Sequence, residues 1–249
     1  MTGLVLREDI DHCATLTLNR PDKLNALSIP IFIELRDHID AIAGQTDSVG
    51  LVILRGAGRS FCAGNDLDGL AAVYAPPKPG FQAETIERLA NLPQPVIAAV
   101  RGHCMTGGLE LALAADLIVA SHSAKFADTH AKFSLTPVWG MSQRLPRRVG
   151  LAKAREMAFT CRTYSGPEAA AMGLVNECFP DEAFDDEVLA LARRILGNSW
   201  FSLRAYKTLF SATDGLPLAA GLAHEVYRTE GRGPDMGDRI AAHAKSKLK

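Results

Sequence analysis

The sequence predicts a mixed α/β fold, on three observations. Short apolar runs read as buried strands, and Pro95–Val100 (PVIAAV) is the clearest of them. Segments with helical spacing alternate with these runs, so strand–helix–strand units recur roughly every 40 residues, without a clear internal sequence repeat. Near Pro180 the composition shifts and the rest of the chain reads as helix. The expected division is therefore an α/β core over 1–180 and a helical region over 181–249.

Leu4–Leu6 and Cys13–Leu18 (CATLTL) read as two strands, followed by a turn at Arg20–Lys23 that Pro21 enforces. Ser28 is the expected N-cap of a helix over Ile29–Ala43, in which Phe32, Leu35, Ile39 and Ile42 share one stripe. Gly50–Arg55 is a third strand. The glycine-rich loop GAGRSFCAGNDL (Gly56–Leu67) follows it, and such loops can aim backbone N–H groups at anionic or carbonyl ligands. It lacks the Gly-Lys-Ser/Thr ending of a phosphate loop, and a plain turn is the competing reading. A short helix is expected at Leu67–Val73, a proline-rich entrance or lid at Ala75–Gly80, and a helix at Gln82–Asn91. Leu117–Ser121 and a short extended piece near Lys125–Ala127 come next. Leu151–Thr160 is a helix, and Ser165–Glu168 is a capping-box start for another that Gly173 ends. Helices are expected at Ala183–Leu196, Phe201–Ser211, Pro217–Arg228 and Met236–Lys245.

Composition narrows the function. A 47% hydrophobic chain of 249 residues can bury one large core, and a net charge of −1 offers nucleic acid or a membrane surface no broad attraction. The five cysteines form no CxxC pair, and the N-terminus is acidic and without a signal-like core, so a cytoplasmic protein is expected. No apolar run approaches the roughly 18 residues of a membrane span. The seven histidines show no metal-ligand spacing.

One residue is out of place. Leu109–Ala115 is almost wholly apolar, which marks a buried helix, yet Glu110 sits in its first turn. Burial favours the neutral carboxyl while a helix N-terminus favours the charged one, so its proton affinity can approach what a general acid or base needs. Gly107 and Gly108 begin the same helix and offer unpaired N–H groups to a developing oxyanion. A capping carboxylate on an ordinary buried helix is the alternative. Asp116 closes this helix against the dipole preference and so requires a partner.

LNRPDKLNAL (Leu18–Leu27), GRSFCAGNDL (Gly58–Leu67), PVIAAVRGHCMTGGLELALAADLIVAS (Pro95–Ser121), QRLPRRVG (Gln143–Gly150) and YSGPEAAAMGLVNE (Tyr164–Glu177) occur together, in order. With these the chain resembles the crotonase superfamily, the enoyl-CoA hydratase/isomerase fold. The last helices match loosely.

The resemblance implies a right-handed spiral of ββα units with a C-terminal helical region used in trimerisation, as a homotrimer or a homohexamer. It implies an acyl-CoA thioester substrate and no cofactor beyond the CoA that is part of it. It places oxyanion-hole donors at the backbone N–H groups of Asn65 and Gly107, with Asn65 replacing a more usual alanine. Glu110 matches the first catalytic glutamate. His130 stands in register with the second, either sharing the acid–base work or satisfying a local hydrogen bond. CoA contacts are expected from Lys23, Leu24 and Ala26, from Ala63, Asp66 and Leu67, and from Gly108, with Lys245 or Lys247 reaching CoA phosphates. Trp139 stands where many members carry a small residue and either narrows the acyl pocket or packs in the core. Cys62 and Cys104 read as small buried hydrophobes, Asp66 and Asp68 as loop-capping or solvated, and His103 as structural. The expected reaction is addition of water to a 2-enoyl-CoA. The alternatives are an isomerase or another enolate-forming enzyme such as a decarboxylase, and, outside catalysis, an acyl-CoA-binding homologue.

Overall fold

The computed structural model describes residues 3–66 and 75–246; the helix expected at 67–73, and Leu67, Asp68 and Lys247, lie outside the described residues. Strands β1 (Val5–Ile10) and β2 (Cys13–Leu18) form an antiparallel hairpin, paired from Val5↔Leu18 to Ile10↔Cys13. Asp11 and His12 turn it with positive φ at both positions, the twist that suits a two-residue hairpin. β1 outruns the expected Leu4–Leu6 because its polar second half is a solvent-facing edge with no apolar alternation to read.

Helix α1 (Ile29–Ala43) buries the expected stripe, but Ser28 makes no side-chain cap. Pro30, at the second helical position, lacks one of the two amides such a cap would accept from. β3 (Leu51–Gly56), α2 (Phe81–Ala90), β4 (Val96–Val100), β5 (His103–Met105), α3 (Gly107–Ala112), β6 (Leu117–Ser121) and β7 (Lys125–Ala127) follow. After a 3-10 turn at His130–Phe133 come α4 (Met141–Val149), α5 (Leu151–Thr160), β8 (Tyr164–Ser165), α6 (Gly166–Ala171) and β9 (Glu177–Phe179). The chain finishes with α7 (Phe184–Leu196), α8 (Trp200–Thr213), α9 (Leu218–Arg228) and α10 (Met236–Ser246).

Two sheets organise these elements. The larger runs β1-β2-β3-β4-β6-β9 and is parallel from β2 onward; the smaller runs β5-β7-β8. β4 enters the large sheet, β5 the small one, and α3 returns the chain; β6 and β7 repeat the step. This is the expected ββα spiral. Side chains alternate along the central strands: Val52, Leu54, Val96, Ala98 and Val100 join the core beneath α1, α2 and α3. Leu51, Ile53, Ile97, Ala99 and Val119 face Phe184, Val188 and Ala192 of α7. With both faces covered, these strands read as unbroken apolar runs.

The capping box of α6 is present, with Ser165 and Glu168 satisfying each other's backbone amides. α8, α9 and α10 bury no residue, and Phe210, Leu218 and Tyr227 on them are largely exposed. No helix among the described residues is long and apolar enough to cross a membrane.

Candidate active site

The site forms where α3 starts, because three chain segments close on that point. The turn carrying Lys23, Leu24 and Ala26 is zipped to the loop carrying Ala63 and Asp66. Ala63 N donates to Leu24 O at 2.9 Å, Leu27 N to Gly64 O at 2.7 Å and Asp66 N to Leu27 O at 2.9 Å. Asn25, which the sequence reading did not single out, is the pin. Fully buried and at φ +57°, its side chain accepts from Arg20 N at 2.8 Å and donates to Ala57 O at 3.0 Å and Ser60 O at 2.7 Å. Asparagine tolerates this left-handed conformation, and its one amide satisfies three backbone groups.

The third segment joins β5 to α3. Cys62 pairs with Cys104 as an isolated bridge, bringing the 62–65 loop alongside. A methyl on Gly108 would stand 2.6 Å from the Cys62 carbonyl oxygen, so glycine permits the approach. A methyl on Gly107 would stand 3.4 Å from the Asn65 nitrogen, and one on Gly64 3.6 Å from the Gly107 nitrogen. The two backbone nitrogens therefore border one small space, and among the described residues neither donates a hydrogen bond.

Glu110, in the first turn of the helix that Gly107 opens, is 1% exposed. Its Oε1 accepts from Trp139 N at 2.9 Å and Met141 N at 3.1 Å. Gly140, between those donors, has φ +112°, and a methyl there would strike the Arg144 guanidinium at 2.2 Å. Oε2 is left facing His130, whose Nε2 is 3.7 Å away. His130 is buried too, and its Nδ1 lies 2.7 Å from Asp128 Oδ1. Burial pushes the Glu110 carboxyl above its ordinary value, against the Met141 and Trp139 amides and His130, which pull it down. Burial pulls the His130 imidazole down, but the hydrogen bond and charge of Asp128 and the charge of Glu110 outweigh it, and the ring ends above its ordinary value.

Trp139 takes the packing role of the two weighed for it. Its ring packs edge-on to Phe32 at 5.1 Å and against Gly107, and it lines a surface groove of about 640 Å³ with Ala83, Val138 and Arg144. A second groove of about 300 Å³, lined by Ala131, Leu135, Met141, Leu145 and Phe159, reaches His130.

Asp66 departs from the solvated reading. It is buried and paired with Arg20, which supplies the partner that a carboxylate needs on leaving water. Cys62 and Cys104 are buried thiols, the first pushed up to about 12 by burial and the second well above its ordinary value, so neither is a ready nucleophile. His103 takes Ser60 Oγ at 2.9 Å on Nδ1. Lys245 is exposed on α10. No group of three or more metal-ligating side chains occurs among the described residues. Asp128 escaped the sequence reading, although its place two residues before His130 was the available signal.

The profile of the family described as Enoyl-CoA hydratase/isomerase matches residues 10–230. A probable peroxisomal enoyl-CoA hydratase 1 of Arabidopsis thaliana is 35% identical over 218 residues, 88% of this chain and 81% of that protein. The 1,2-epoxyphenylacetyl-CoA isomerase of Escherichia coli is 32% identical over 237 residues, 92% of this chain and 90% of that one. Among solved structures, an enoyl-CoA hydratase from Bacillus anthracis superposes with a TM-score of 0.91 at 30% identity, covering 98% of this chain and 96% of that one. On the extent of these matches, the chain belongs to the enoyl-CoA hydratase/isomerase family.

Proposed function

We propose that this enzyme adds water across the double bond of a 2-enoyl-CoA thioester. The observation that carries the reading is the Glu110–His130 pair: Oε1 of Glu110 is anchored by two amides, and Oε2 stands 3.7 Å from His130 Nε2. Two polar atoms at that separation can both hold one water at an ordinary hydrogen-bond length of about 2.8 Å.

The N–H groups of Asn65 and Gly107 grip the thioester oxygen in this reading. Water oxygen bonds to acyl C3 while one of its protons passes to the pair. The C2=C3 electrons move onto the thioester oxygen as an enolate. Collapse of the enolate draws a proton from the pair to C2, so one water has delivered hydroxyl to C3 and hydrogen to C2. Glu110 is the principal acid and base, and His130 assists. Each aimed amide contributes about 3 kcal/mol to the enolate-like transition state. The joined 23–27 and 62–66 segments flank the CoA portion, with no further cofactor. The exposed apolar side chains of α8, α9 and α10 support a homotrimer or homohexamer. The five free thiols support action in a reducing compartment such as the cytoplasm.

A second reading rests on the same pair. With an imidazole in place of a second carboxylate, Glu110 alone can carry a proton between C4 and C2, which is isomerisation of a 3-enoyl to a 2-enoyl thioester. Turnover in heavy-oxygen water separates the two, because hydration places the label on C3 and isomerisation incorporates none. Loss of the conjugated thioester absorbance with short or medium 2-enoyl-CoAs is the first assay. Glu110→Gln is expected to cost several powers of ten in turnover with CoA affinity kept. Failure of every chain length to lose that absorbance would overturn the hydratase reading.

A further inference from the structure

We propose that Asp128 is a positioning residue that fixes the His130 ring with Nδ1 as the protonated nitrogen and Nε2 as the nitrogen turned to Glu110. The consequence for turnover rests on the hydratase reading; the ring's orientation does not.

One oxygen of Asp128 accepts twice from His130, from the backbone N–H at 3.1 Å and at Nδ1 at 2.7 Å. A carboxylate accepts and does not donate, so the hydrogen on the short contact belongs to Nδ1. In a neutral imidazole the other nitrogen is then the acceptor, free to take a proton from water. The double contact holds backbone and ring together within one three-residue segment, and that segment is itself pinned. Thr129 N donates to Thr106 Oγ1 at 3.1 Å, and the two threonine hydroxyls hydrogen-bond each other. Thr106, at φ +49°, is the residue immediately before Gly107. The placement of His130 is thus tied through Thr129 and Thr106 to the backbone that carries the Gly107 amide.

Asp128 is itself only 3% exposed. A carboxylate so placed needs a charge or hydrogen bond nearby, and His130 supplies both when it takes a proton. Asp128 and Glu110 flank the ring from opposite nitrogens, so an imidazolium formed during water addition is stabilised from two sides. With C2 protonated from Glu110 and the water's proton on Nε2, passage of that proton from Nε2 to Oε2 through one water bridging their 3.7 Å separation restores the starting state. Among the described residues, Arg155 lines the adjoining groove from α5, and Lys132 lies on the same 3-10 turn as His130.

The test is nitrogen NMR of histidine-labelled enzyme, wild type and Asp128→Asn, with kcat, KM and the pH–rate profile measured on both. The wild-type neutral ring is expected to show a protonated Nδ1 and a bare Nε2. Asp128→Asn should give mixed tautomers and a kcat about 10–100-fold lower with KM unchanged. Loss of the carboxylate charge should move the acid limb of the profile to lower pH, and Asp128→Glu should recover part of the rate. A wild-type ring protonated at Nε2 would overturn the proposal, as would an Asp128→Asn enzyme with unaltered kcat and profile. If that variant fails to fold, the wild-type spectrum decides alone. A wild-type protein with the expected tautomer that hydrates no enoyl-CoA removes the hydratase reading and leaves the Asp128 assignment standing.

Discussion

Nε2 of His130 stands 3.7 Å from Oε2 of Glu110, and both groups bind protons more tightly than they do in water. The two titrate as a unit. On the hydratase reading the pair works with one proton, losing activity when a second binds on the acid side and when the last leaves on the alkaline side. The expected kcat/KM profile is therefore bell-shaped, and Glu110→Gln or His130→Gln should abolish its shape as well as lower its height.

Stability carries the same signature with a definite sign. Glu110 is raised from an ordinary 4.5 and His130 from an ordinary 6.5, so in each case the native state holds the proton more tightly than the unfolded chain. Their contribution is complete below those ordinary values and is lost as pH rises through the folded ones. Melting temperature measured from mildly acidic to alkaline pH should fall more steeply for the wild type than for the Glu110→Gln/His130→Gln double variant. Parallel curves would contradict it.

The two glycines that open α3 fail differently when filled. A methyl on Gly108 meets the Cys62 backbone carbonyl at 2.6 Å, where nothing can swing aside, so Gly108→Ala should cost about 1–3 kcal/mol in a denaturant titration and lower turnover with it. A methyl on Gly107 meets the far edge of the Trp139 ring at 2.6 Å and stands 3.4 Å from Asn65 N. Gly107→Ala combined with Trp139→Leu should regain stability but not turnover, because the methyl still occupies the space between the two amides.

Asn25 holds the candidate CoA-flanking segments together through three side-chain hydrogen bonds. Asn25→Ala strands Arg20 N and Ala57 O in partly buried places and Ser60 O in a buried one. It should cost about 2–3 kcal/mol and weaken CoA binding, read by calorimetry.

Asp116 lies beyond α3, which ends at Ala112, and not at the helix end expected for it; it still has a partner, accepting from Val96 N and from Lys207 Nζ, both at 2.7 Å. The pair clips α8 to the chain at β4. Lys207→Met should lower stability by about 2 kcal/mol, less than for a fully buried pair because the Asp116 carboxylate keeps about a third of its exposure. Adding Asp116→Asn should restore part of the loss.

The fold was legible where periodicity or punctuation was strong. The stripe of α1, the apolar runs of β3 and β4 and the Ser165–Glu168 cap carry their own signals. β5, β8 and β9 are two or three residues long, too short for any period. α4 buries only Met141 and Leu145 and contains Pro146, so its sequence reads as a polar connection. At the site, Glu110 was visible as a carboxylate in an apolar helix. Asn25 and Asp128 were not, because their importance lies in partners that only the folded chain brings within reach: Ala57 and Ser60 for one, the orientation of a neighbouring ring for the other.

The most direct test of the whole account is a crystal structure of the enzyme with a bound acyl-CoA. The thioester oxygen is expected within about 3 Å of both Asn65 N and Gly107 N, with acyl C2 and C3 facing Glu110 Oε2 and His130 Nε2. A thioester oxygen held elsewhere, or an acyl C2 and C3 beyond the reach of Glu110, would contradict it.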